Sequence, residues 1–150
     1  MIGARHCAQK APANWYRTID RITPALAQRP KLLIPDIKGE AHIVFEDGRL
    51  YPHHNLYYVI SDTWDLEVLG GLLLSKIAQA FIEAYCVRMR GGTLRFQAQY
   101  LKRIRVPDPV ALDHDVAEAL RTAFLERDQH AATQTAAIAY GIDLKEYDLA

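Results

Sequence analysis

Arg95, Gln97 and Gln99 recur at every second position of a stretch whose intervening residues, Leu94, Phe96, Ala98 and Tyr100, are apolar or aromatic. Alternation with period two predicts a half-buried strand over residues 93–100, with a guanidinium and two carboxamides on its polar side. Such groups can pair with base edges, Arg with guanine O6 and N7 and Gln with adenine N6 and N7. The stretch lies in a basic run of Arg88, Arg90, Arg95, Lys102, Arg103 and Arg105, interrupted by Gly91-Gly92 and free of acids from residue 87 to 106. Lys102, Arg103 and Arg105 could hold phosphates, which add affinity but no base information. An ordinary solvated strand face beside a basic turn explains the same residues, and residue types alone leave both readings open.

His53-His54-Asn55 is the second group with chemical potential. Adjacent histidines can bind a metal or act as the general base of a nuclease. Neighbours on a strand point to opposite faces, however, so one ion rarely takes both. No other His or carboxylate cluster has ligand spacing. A structural or DNA-contacting role is the alternative. His42, His114 and His130 are scattered and read as bland, and Trp15 and Trp64 read as core anchors. There is no phosphate-binding loop, no GxGxxG after a strand and no GxSxG elbow. Cys7 and Cys86 are far apart and lack a CxxC partner, which fits free thiols in a reducing cytosol better than a disulfide.

The elements that position these residues follow from the rest of the chain. With 150 residues, 50% of them hydrophobic, the chain suits one domain with a buried core. No apolar run is long enough for a membrane span, and residues 1–14 lack the apolar segment of a secretory signal. The expected location is cytoplasmic. Net charge is zero but uneven. Residues 1–107 hold 15 Lys or Arg against 9 Asp or Glu, and residues 108–150 hold 3 against 9. A basic first part permits a polyanionic partner on one face.

Residues 15–22 suit a strand, and Pro24 and Pro30 bracket a short turn or helix. Residues 31–37 form an apolar strand whose Pro35 lacks a donor, which predicts an edge or a bulge. Residues 41–45 make a third strand. Asp47-Gly48 signals a hairpin, with residues 50–60 as the returning strand. Ser61-Asp62-Thr63 offers caps for a helix over residues 66–87, whose Leu66, Leu69, Leu73, Ile77, Phe81 and Tyr85 form one stripe. Gly70-Gly71 weakens that helix unless it starts later or another backbone packs close there. Residues 89–92 end it. Residues 106–109 end the strand over 93–100. A second helix runs from His114 to about Tyr140 and stops at Gly141. The expected fold is α+β: a mixed or mostly antiparallel sheet of about five strands packed on a long buried helix, with a second helix toward the C-terminus.

Several segments together carry a family resemblance: Trp15-Tyr16-Arg17, Pro30 through Ile37, Tyr51 through Tyr57, Leu69 through Ser75, Met89-Arg90-Gly91-Gly92 with Arg95-Phe96-Gln97, Tyr100 through Pro107, and Ile138 through Ile142. In order and spacing the chain from Trp15 onward resembles the C-terminal specificity domain of TaqI-like adenine-specific DNA methyltransferases, including fused restriction-modification enzymes. The resemblance implies target recognition on double-stranded DNA over residues 15–150, with residues 1–14 a linker or the residual end of a missing catalytic domain. It implies base and backbone contacts from Lys38, Arg49, His53, His54, Asn55, Arg88, Arg90, Gly91, Gly92, Arg95, Gln97, Gln99, Lys102 and Arg103. The chain departs from a whole methyltransferase in lacking a glycine-rich cofactor loop and an Asn-Pro-Pro-Tyr-like tetrapeptide. It is therefore expected to bind DNA without methylating it. S-adenosylmethionine would belong to the catalytic domain or subunit, the expected second partner, and neither a metal nor a membrane is expected. Two other readings compete: a small metal-dependent nuclease centred on His53 and His54, and a protein-interaction module that docks through its acidic C-terminal helix.

Overall fold

The computed structural model describes residues 6–10, 13, 23–35, 37–38, 42–53, 55–85, 94–95, 98–147 and 149. The expected strand over residues 15–22, Trp15, and the turn at residues 89–92 lie outside them. A short helix, α1 (His6–Lys10), comes first. Pro24–Leu26 forms a 3₁₀ turn, in keeping with the bracketing prolines.

Three antiparallel strands follow: β1 (Lys31–Pro35), β3 (Val44–Glu46) and β4 (Leu56–Val59), in the order β3-β1-β4. A separate two-stranded ribbon pairs β2 (Ile37–Lys38) with β5 (Leu94–Arg95). The α+β class holds, but the described residues form a three-stranded sheet and a separate ribbon rather than one five-stranded sheet. The strand with Pro35 is central rather than at an edge. Pro35 is its last residue and pairs only with Leu56, beyond the reach of β3, which ends its pairing at Leu33. The missing N–H therefore costs no bond on the β3 side. The Asp47-Gly48 turn also does not make a hairpin of its flanks. Both β3 and β4 bond to β1, so residues 47–55 cross over from one side of it to the other.

Leu32 and Ile34 alternate onto the helical layer and are buried with Leu66, Leu69, Leu73 and Phe124. The first core helix, α2 (Leu66–Leu74), is capped by Asp65, whose carboxylate accepts from the N–H groups of Glu67 and Val68. The cap thus lies beyond Ser61-Asp62-Thr63, because Ser61 Oγ is already engaged by the N–H groups of Thr63 and Trp64. Gly70 and Gly71 lie inside α2. A methyl group at Gly70 would meet the Phe124 ring at 2.6 Å, and one at Gly71 the Leu120 carbonyl oxygen at 2.3 Å. Close approach of another element is thus what the glycine pair serves.

The expected long helix is broken. α3 (Lys76–Tyr85) follows α2 at 68° after Ser75. Ser75 Oγ donates to Leu72 O (2.6 Å) and accepts from Ala78 N (3.3 Å). Residues of a distant helix add two more: Lys76 N–H donates to Thr133 Oγ1 (3.0 Å) and Gln129 Nε2 to Leu74 O (3.2 Å). A helix end buried in a core needs such partners. Among the described residues no single helix is long and apolar enough to cross a membrane, and the bent pair α2–α3 lies in the core at its α2 end.

The C-terminal helix is likewise two, α5 (His114–Glu126) and α6 (Gln129–Tyr140). Arg127 takes a left-handed φ of 60°, and Asp128 starts the next helix by accepting from Ala131 N–H. The Arg127 guanidinium stacks over Phe124 at 5.3 Å and donates to Ile43 O, tying the break to the sheet. Gly141 at φ 66° ends α6, as expected. A final 3₁₀ turn spans Leu144–Tyr147.

Candidate nucleic-acid interface

β2 follows β1 after one residue, so Lys38 lies just beyond the Pro35 end of the central strand. The β2–β5 register places Ile37 opposite Arg95 and Lys38 opposite Leu94. Two segments 57 positions apart thus meet in one ribbon. β4 starts at the same end, since Leu56 is the partner of Pro35. The turn before it is closed by Leu56 N–H on His53 O (2.9 Å) and by Asn55 N–H on His53 Nδ1 at a long 3.5 Å. His53 and Asn55 are exposed there. Lys38, Arg95, His53 and Asn55 therefore come from three segments and gather at one end of the sheet.

Arg49 belongs to the other end. Its turn follows Glu46, the partner of Lys31, which is four strand positions from Pro35 or about 13 Å. Arg49 is exposed and pairs with Asp47 at 2.9 Å. The turn is held from beneath: Glu46 accepts from the N–H groups of Gly48 (3.1 Å), Arg49 (2.6 Å) and Leu50 (2.8 Å). Gly48 at φ 95° sits against the backbone of Gln28, where a side chain would not fit.

The expected strand over residues 93–100 is not extended throughout. β5 spans Leu94–Arg95, and Ala98–Leu101 is a one-turn helix, α4. Gln99 is therefore on a helix and does not continue a strand face with Arg95. Helical spacing explains the change: Tyr100, Leu101 and Ile104 pack on the core, which leaves Gln99, Lys102 and Arg103 exposed. Among the described residues no carboxylate pairs with Lys102, Arg103 or Arg105. The Arg103 guanidinium lies over the Tyr85 ring, 5.3 Å from its centroid. Tyr85 is 40% exposed at the end of α3. Its place in the apolar helical stripe concealed it as a surface residue. A position at the very end of that stripe, next to the basic run, was the available sign.

His54, Arg88, Arg90, Gly91, Gly92 and Gln97 lie outside the described residues. Among the described residues no group of three His, Cys, Asp or Glu side chains could hold a metal ion. His42, His114 and His130 are exposed, and Trp64 packs on the core from a half-buried position. The glycine pair that is described, Gly70-Gly71, is filled by Phe124 and Leu120 and leaves no cradle for a cofactor.

Comparison with known proteins adds the family context. A family model described as the TaqI-like C-terminal specificity domain matches residues 1–106. The chain is 58% identical over 146 residues, 97% of its length, to the type II methyltransferase M.PaeR7I of Pseudomonas aeruginosa. It is 53% identical over 148 residues, 99% of its length, to the type II methyltransferase M.XhoI of Xanthomonas vasicola. It is 52% identical over 120 residues, 80% of its length, to the type II methyltransferase M.BstVI of Geobacillus stearothermophilus. The chain spans 25%, 27% and 21% of the lengths of these relatives. Helices α5 and α6 lie beyond the family match but within the similarity to the first two relatives.

Proposed function

We propose, from the fact that this chain belongs to the TaqI-like C-terminal specificity-domain family, that it reads a specific sequence on double-stranded DNA for an adenine-specific DNA methyltransferase or restriction-modification enzyme. The observation that carries the reading is the gathering of Lys38, Arg95, His53 and Asn55 at one end of the sheet. Gln99 on α4 and Lys102 and Arg103 in the turn after it are exposed. Arg95 reads a base, because its two-pronged guanidinium suits guanine. Lys38, Lys102 and Arg103 hold phosphates and set the register of the protein on the duplex. By sequence alone, Gln97, Arg88, Arg90 and Gly91-Gly92 are further candidates for contact with the duplex.

Methyl transfer belongs to a catalytic domain or subunit that binds S-adenosylmethionine, and these residues do not fit that cofactor. Their task is to hold the duplex while the target base leaves the stack. The test is fluorescence anisotropy with cognate and random duplexes over a range of salt. Arg95→Ala is expected to weaken cognate binding roughly ten- to a hundredfold and random binding far less. Equal loss on both would demote Arg95 to a phosphate contact. Absence of binding to any duplex at low salt would overturn the reading.

A further inference from the structure

We infer that Tyr85 is a positioning residue for DNA-backbone binding: its exposed ring holds the Arg103 guanidinium outward as a preformed phosphate contact. The inference rests on the DNA-binding reading above and adds a residue to it. Three observations carry it. The guanidinium lies 5.3 Å from the ring centroid, within the range at which a cation is drawn to an aromatic face. Tyr85 is 40% exposed although it ends the most apolar stripe of the chain. α4 is pinned through Tyr100, Leu101 and Ile104, which fixes the backbone of the turn that carries Arg103.

The physical reason is the freedom of an arginine. An exposed guanidinium on a flexible stem loses rotamer entropy when it meets a phosphate. An arginine already lying on a ring has lost much of that freedom before DNA arrives. A cation held at a ring face makes no hydrogen bond with it, so the guanidinium N–H groups stay available to a phosphate. No acid among the described residues competes for those donors. Tyr85 thus acts through Arg103 and touches no base.

The experiment uses the 150-residue protein and the variants Tyr85→Leu, Tyr85→Phe, Arg103→Ala and the double variant Tyr85→Leu/Arg103→Ala. Proton NMR of the free protein is expected to show the Arg103 side-chain protons shifted upfield by the ring, with the shift lost in Tyr85→Leu and kept in Tyr85→Phe. Anisotropy on a random duplex gives log affinity against log salt. Arg103→Ala is expected to reduce the slope by about 0.9, the value for one phosphate. Tyr85→Leu should weaken binding about two- to fivefold, in line with an exposed cation–π contact, and reduce the slope in the same sense. Tyr85→Phe should bind like the unaltered protein, and the double variant no more weakly than Arg103→Ala. Tyr85→Leu with unchanged affinity and slope would overturn the inference while the DNA reading stands. So would additive losses in the double variant, or a Tyr85→Phe as weak as Tyr85→Leu. If the unaltered protein binds no duplex, both fall together.

Discussion

Lys31 and Glu46 stand opposite each other in the antiparallel register of β1 and β3, and both are buried, at 0% and 8% exposure. Lys31 Nζ donates to Glu46 Oε2 and to Leu50 O (3.1 Å), while the Glu46 carboxylate takes the three N–H groups of the following turn. A charge pair inside a small protein needs further hydrogen bonds besides its own, and here the Leu50 carbonyl and three turn N–H groups supply them and fold the loop over the pair. The Lys31 hydrogen bond, aided by the three backbone donors and opposed by burial, holds the Glu46 carboxyl at about 2, against an ordinary 4.5.

Removing one partner leaves a buried charge alone. Lys31→Met is expected to lower Tm by roughly 10 °C or to prevent folding, whereas Lys31→Met with Glu46→Leu should recover much of that loss. Calorimetry decides it. The pH dependence has a definite sign. Glu46 has a depressed pKa in the folded state, so its contribution is complete above about pH 4.5 and is lost as pH falls toward 2. The double variant should therefore show a shallower acid limb in a stability-against-pH curve. An unchanged limb would show that other carboxylates govern acid unfolding.

Gly70 and Gly71 touch α5 in different ways, and substitution separates them. Gly71→Ala places a methyl 2.3 Å from the Leu120 carbonyl oxygen, and backbone cannot swing aside. Overpacking of this kind costs about 1–3 kcal/mol or more. Gly70→Ala meets only the Phe124 ring at 2.6 Å. Phe124→Leu should therefore partly rescue Gly70→Ala and fail to rescue Gly71→Ala, as read by chemical denaturation.

Tyr140 joins the acidic helical part to the basic part, since its hydroxyl donates to Arg105 O at 2.7 Å. Burial pushes its phenol up to about 12 from an ordinary 10. A raised folded pKa means the stabilisation is complete below about pH 10 and is lost as pH rises through 12. Ultraviolet titration should show a late tyrosine ionisation that is absent in Tyr140→Phe. That variant should also lose about 1 kcal/mol of stability at neutral pH.

Lys38 and Arg49 were equal in the sequence and are unequal in space. Lys38 lies in the ribbon with Arg95, and Arg49 lies at the opposite end of the sheet beside Asp47. Lys38→Ala is expected to reduce the salt slope of DNA binding by about 0.9, and Arg49→Ala to change affinity by less than about twofold. The reverse order would move the DNA surface to the Lys31 end of β1.

The residues themselves determined the element types that depend on near neighbours. The apolar stripe of residues 66–85, the 3₁₀ turn at Pro24, the stop at Gly141 and the α+β class all follow from local periodicity and backbone preference. Family membership was legible too, in the order of many short segments. What tertiary structure alone decided was partnership. β4 joins β1 because apolar alternation says which face is inward and not which strand lies alongside. The helix breaks at Ser75 because Gln129 and Thr133, more than fifty positions away, supply the hydrogen bonds that its ends need. The polar alternation of Arg95, Gln97 and Gln99 ends in a helical turn because Tyr100, Leu101 and Ile104 find a core to cover at helical spacing. Periodicity records how a segment divides between core and water, and only the assembled chain supplies the groups that complete its hydrogen bonds and contacts.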